Sequence, residues 1–166
     1  MPDSGGLEKR SAEIAGIALV SGFALGYVFA NAFKGKVPKR LQPTGGSQTA
    51  ILLVDHGSKR PKANDMVFDV AEMLRSIRPD VHFEACHMEI AEPGIPTGLQ
   101  RCVETGATRI VVFPYMLSPG RHATTDIPQM VEEAQQKVAK HVEVSVAPCL
   151  GIHENIGKVI LERAGV

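Results

Sequence analysis

The chain has no tryptophan and only two tyrosines, and its formal net charge is zero. Without a basic excess, no long-range field draws in nucleic acid or anionic lipid. The stacking aromatic motifs of RNA-binding domains are absent too. Cysteine is scarce: Cys86, Cys102 and Cys149 are odd in number and far apart, which offers neither a CxxC pair nor a disulfide framework. Mostly buried thiols in a reducing compartment are the expectation. "DHGSKRPKAND" (55–65) supplies one glycine, where Walker and dinucleotide loops need two or three. No Gly-x-Ser-x-Gly occurs, so Ser58 is a weak nucleophile candidate. No internal repeat is present.

What remains is a globular composition, 44% hydrophobic and 22% charged over 166 residues, enough for one domain and an extension. Residues 1–47 form the extension and 48–166 the folded domain. Ile14 to Phe33, "IAGIALVSGFALGYVFANAF", carries no charge and has about the 20 residues that a membrane-crossing helix needs. Gly22 and Gly26 stand in a GxxxG arrangement suited to helix pairing in lipid. Lys34, Lys36, Lys39 and Arg40 follow, which predicts a membrane anchor with the domain on the cytosolic or stromal side. A removed targeting peptide is the competing reading, since Ala30-Asn31-Ala32 resembles a cleavage site. "LQPTGGSQT" reads as a linker.

From Ala50 the pattern alternates between strand and helix. "AILLV", "VHFEACHME", "RIVVFPYML" and "VEVSVAP" read as strands. Ala63, Val67, Val70, Leu74 and Ile77 recur at helical spacing. A second helix starts near Ile95 with Pro96 in its first turn and ends at Gly106. Ile127, Met130, Val131, Ala134 and Val138 mark a third, and Ile152 to Arg163 a last one. This alternation predicts an α/β fold in three layers, with about four parallel strands.

In such a sheet, ligands bind at the carboxyl ends of the strands. Asp55, His56 and Ser58 lie at the first end, and His87, Glu89 and Glu92 at the second. Arg121, His122 and Asp126 follow the third. Two histidines and a carboxylate in one crevice suit a borderline divalent metal, and equally suit proton transfer near neutrality. A bland reading stands beside each. A strand-end histidine can be a hydrogen-bonded structural residue, and Gly57-Ser58 can simply cap the next helix. Lys59, Arg60 and Lys62 can be a solvated turn, or can hold anionic substrate groups. His82 and His87, five apart, face opposite sides of their strand. Glu84 reads as a paired charge, and His141 as a solvated turn residue.

Together, "LLVDHGSKRPKAN", "HMEIAEPGI", "VVFPYMLSPGRHATTDIP" and "APCLGIH" resemble the sirohydrochlorin chelatase family, small relatives of the class II chelatases. The VDHGS and HMEIAEP wording looks most like the plant and algal ferrochelatases of siroheme synthesis. The resemblance spans roughly Ala50 to Arg163. It implies that His56 and His122 are the metal-site histidines and that Glu89 handles protons or metal. It further implies that sirohydrochlorin and a divalent metal, Fe²⁺ or Co²⁺, are the substrates. Ser58, Lys59, Arg60, Lys62 and Arg121 would then face the carboxylates of the macrocycle. Plant relatives carry a cysteine segment for an iron–sulfur cluster. Its cysteines do not occur here, so no tightly bound cofactor is expected. A plastid setting follows from the resemblance alone. Iron insertion, cobalt insertion and non-catalytic tetrapyrrole or metal carriage stay open. A homodimer is expected, because larger class II chelatases enclose the ring between two similar lobes and one lobe is present here.

Overall fold

The computed structural model describes residues 48–138 and 142–166. Four strands, β1 (Thr49–Asp55), β2 (His82–His87), β3 (Arg109–Pro114) and β4 (Glu143–Val146), form one sheet in the order β2-β1-β3-β4. Every pairing is parallel, with Leu53 opposite both Ala85 and Phe113. The chain runs outward from β1 to β2, then returns to the other side for β3 and β4. Between β1 and β3 the order of strands therefore reverses, and crevices at the strands' carboxyl ends open at such a point.

Side-chain alternation along β1 builds two cores. Ala50, Leu52 and Val54 point to one face, where they meet Cys86, Ile110 and Val112 beneath α2 (Ile95–Glu104) and α3 (Ile127–Gln135). Leu53 points to the other face with Phe83 and Ala85, covered by Val67 and Ala71 of α1 (Pro61–Ile77). Helices on both faces of a parallel sheet make the three-layer α/β architecture that the sequence predicts. Gly98 allows α2 to lie close to the sheet, since a Cβ there would stand 2.7 Å from Leu52 Cδ1. The thiols of Cys86 and Cys102 are buried, and burial pushes both pKa values up, that of Cys102 to about 12. They stay neutral at physiological pH, as core residues.

The last helix, α4 (Glu154–Ala164), begins two residues later than the pattern predicts. His153 is extended and its Nδ1 accepts a hydrogen bond from the Asn155 amide, capping the helix. The predicted apolar helix at 14–33 lies outside the described residues, as does His141. Among the described residues no helix is long and apolar enough to cross a membrane. The longest, α1, is a 17-residue amphipathic helix with Val67 and Ala71 buried. The membrane-anchored placement on a stromal or cytosolic side is corrected accordingly: nothing described supports an anchor, a transmembrane helix or a membrane partner.

Candidate functional site

The β1 and β2 backbones stay paired beyond their last ladder residues. Met88 N–H donates to Asp55 O at 2.8 Å, and Glu89 N–H to His56 O at 3.2 Å. This continued pairing places the Glu89 side chain beside His56. Gly57 adopts φ +82°, and a Cβ at that position would lie 2.0 Å from Glu89 O. Only glycine allows the two strand ends to close this tightly. Immediately after Glu89, Ile90 sits at φ +69°, an unfavourable region for a β-branched residue and a mark of backbone held under strain.

His56 Nδ1–H donates to the Gly57 carbonyl at 3.1 Å, so its Nε2 is the nitrogen left for chemistry. That Nε2 lies 3.0 Å from Glu89 Oε1, and the two side chains are 44% and 52% exposed. Across the crevice, the chain beyond β3 forms a five-residue π-helical turn, His122–Asp126, leading into α3. Such turns recur at functional sites. Here the turn brings Asp126 Oδ2 to within 2.7 Å of His122 Nδ1. A carboxylate on Nδ1 fixes the ring and makes Nε2 the available donor atom. The His56 and His122 rings meet edge to face, with centroids 5.1 Å apart.

Sequence reasoning thus names three residues that the fold brings together: His56, His122 and Glu89. They do not form a closed cage. Among the described residues, no group of three or more His, Cys, Asp or Glu side chains could hold a metal ion as the side chains stand. Two accessible imidazoles near one carboxylate suit an ion that is held briefly and passed on.

Other predicted residues lie farther out. Ser58 Oγ accepts from the Arg60 amide at 3.1 Å, so it shapes the turn into α1. Lys59, Arg60 and Lys62 are exposed around that turn. Arg121 is 83% exposed and pairs with Asp126 at 3.3 Å. Glu92 accepts from the Gly94 amide at 2.9 Å. His82 pairs with Glu84 at 2.9 Å on the edge strand.

Residues not singled out in the sequence form a wall beside His56. An open pocket of about 460 Å³ is lined by Asp55, His56, Gly57 and Ser58 together with Met66, Tyr115, Leu117 and Leu150. Leu150 reaches it because its amide bonds Met116 O at 3.0 Å, drawing the loop after β4 alongside the loop after β3. The "PYML" run after β3 was a usable signal, since apolar residues persist there past the strand's end.

Residues 50–165 match the family model CbiX. The chain is 37% identical over 118 residues to the chloroplastic sirohydrochlorin ferrochelatase of Arabidopsis thaliana, covering 71% of this chain and 52% of the plant protein. It is 32% identical over 119 residues to a sirohydrochlorin cobaltochelatase of Priestia megaterium, covering 72% and 38%. The sirohydrochlorin chelatase SirB of Bacillus subtilis subspecies spizizenii, solved in complex with cobalt, superposes with a TM-score of 0.66. Its identity is 32%, and the match covers 71% of this chain and 50% of that one. The chain spans about half, or less, of the length of these three proteins.

Proposed function

The chain belongs to the CbiX family of small sirohydrochlorin chelatases, and from that premise we propose that it inserts Fe²⁺ into sirohydrochlorin, as a homodimer. The observation that carries this reading is the approach of the His56 and His122 rings to 5.1 Å, with Glu89 on His56 Nε2. Both imidazoles have Nδ1 engaged within the chain, so each offers Nε2 to an incoming ion. Neutral nitrogen donors bind Fe²⁺ or Co²⁺ and still release it, unlike a closed thiolate cage.

Insertion exchanges one divalent ion for two pyrrolic protons. Glu89, within hydrogen-bond reach of His56 and half exposed, is the acceptor for the two departing protons in turn and returns each to solvent. Met66, Tyr115, Leu117 and Leu150 offer an apolar wall to a macrocycle face. Lys59, Arg60 and Lys62 project at the start of α1 next to that wall, and Arg121 lies beyond His122. These four cations would meet the macrocycle's carboxylates. The 37% identity with the plant ferrochelatase supports iron, while cobaltochelatases match at 32–34% and a second ferrochelatase at 31%. Cobalt insertion is the alternative, because His and carboxylate donors do not separate the two ions.

Anaerobic insertion assays with each ion, followed by the tetrapyrrole's absorbance, test the reading. His56→Ala and His122→Ala should each lower turnover by about a hundredfold or more while the far-ultraviolet spectrum stays that of the wild type. Near-wild-type turnover of either variant under limiting metal would make that histidine structural. Tight tetrapyrrole binding with no insertion of either ion would favour a carrier instead.

A further inference from the structure

Behind the two reacting strand ends lies a pair that the proposed chemistry does not use. Asp55 and His87 are register partners across β1 and β2, so both point to the face covered by α1. His87 is completely buried. Its ring meets Phe68 of α1 edge-on, with centroids 5.5 Å apart. Asp55 Oδ1 accepts two hydrogen bonds, from His87 Nδ1–H at 2.5 Å and from the Gly57 amide at 3.0 Å. This arrangement leaves His87 Nε2 buried without a hydrogen-bond partner. A phenylalanine in that place would pack against Phe68 and leave no such orphan. The histidine therefore serves the fold poorly as filler, and what it adds is the Nδ1–H donor.

The donor's reach can be followed bond by bond. His87 holds the Asp55 carboxylate, and the carboxylate holds the Gly57 amide. The Gly57 carbonyl in turn accepts from His56 Nδ1. His56 is thus flanked by Asp55, which is tied to His87 of β2, and by Gly57, which is tied to Asp55, and His87 is itself two residues from Glu89. We propose that Asp55 and His87 form a positioning pair that sets the His56 Nε2–Glu89 separation and so the affinity of the site for its ion. The proposal rests on the chelatase reading for what the ion is, but the metal-binding geometry can be measured without turnover.

The test uses the full-length chain and anaerobic Co²⁺ titrations monitored by the ion's visible d–d absorption, beside insertion kinetics. Loss of a supporting hydrogen bond behind a metal-binding histidine typically weakens binding by about 10- to 100-fold. His87→Phe should therefore bind Co²⁺ at least about tenfold more weakly, with an altered d–d spectrum and a lower kcat at unchanged KM for the tetrapyrrole. An asparagine amide nitrogen occupies roughly the place of imidazole Nδ1, so His87→Asn should recover binding to within about threefold of the wild type. If His87→Phe does not fold, Asp55→Ala, at a partly exposed position, removes the same link and should show the same loss. A folded His87→Phe or Asp55→Ala protein with wild-type Co²⁺ affinity and spectrum would overturn the proposal. A wild-type chain that binds Co²⁺ yet turns over neither ion would sink the chelatase reading alone, and the variant affinities would still decide the role of the pair.

Discussion

A single hydrogen atom in place of a side chain at Gly57 decides whether the site can exist. Its φ of +82° is accessible to glycine, and a Cβ would stand 2.0 Å from the Glu89 carbonyl oxygen and 3.2 Å from His87 Cβ. Backbone at both strand ends must move to accept it. Gly57→Ala should cost roughly 1–3 kcal/mol of stability, as strained left-handed residues do. It should also separate Glu89 from His56, abolishing Co²⁺ binding and insertion. Urea unfolding and a cobalt titration check the two effects, and an alanine variant that is stable and active would show that the closure matters less than its geometry implies. At this scale the sequence was partly legible. His56 stood out because it ends a buried apolar strand, and His122 because the loop after β3 carries the block that resembles the chelatase family. The role of Gly57 was not legible, because its constraint comes from Glu89, which is 32 residues away in the chain and adjacent only after β1 and β2 pair.

Among elements, β2 has to solve the problem of an exposed edge, since it borders β1 on one side only. Arg75 of α1 donates through Nε and Nη2 to the Phe83 carbonyl, which blocks that edge against pairing with another chain. On the same strand, Glu84 bonds His82 at 2.9 Å in a mostly buried position. The His82 hydrogen bond holds the Glu84 carboxyl below its usual range, helped by the charges of His82, Arg75 and Arg101 and opposed by burial. A depressed folded-state value adds stability above the unfolded carboxylate pKa of about 4.3, and that stability is lost as pH falls through the folded value. Glu84→Gln should therefore be less stable than the wild type near neutrality, by about 1 kcal/mol or less. The gap should close on acidification below that range. Urea midpoints across the acid range measure it, and a pH-independent difference would remove the ion pair as its cause. Strand and helix order was readable because burial on both faces gives continuous apolar runs and the helices keep a 3.6-residue period. The π-helical turn was not, because His122 and Asp126 are spaced as in an ordinary helix, and the wider winding is set by the fold.

At the scale of the whole molecule, the proposed homodimer follows from what one sheet can enclose. The pocket beside His56 is open, with about 460 Å³ between α1 and the loops after β3 and β4. A flat polycarboxylate macrocycle would leave much of itself in solvent there. In the proposed dimer a second copy would cover it, placed around a two-fold axis so that both chains' His56 and His122 border one cavity. α4 is a ready contact for it. No residue of α4 is buried, and Val159, Ile160 and Leu161 are each more than half exposed. Exposed apolar side chains on an unpacked helix offer area that such a contact could bury. Sedimentation of the full-length chain at assay concentration should give a dimer, and Ile160→Glu should shift it towards monomer with loss of insertion. Co-expressing wild-type and His56→Ala chains under separate tags isolates mixed dimers. A shared cavity predicts that their activity departs from the mean of the two parents, because one binding face is defective for both chains. Activity strictly proportional to the wild-type fraction, or a fully active monomer, would rule the shared cavity out.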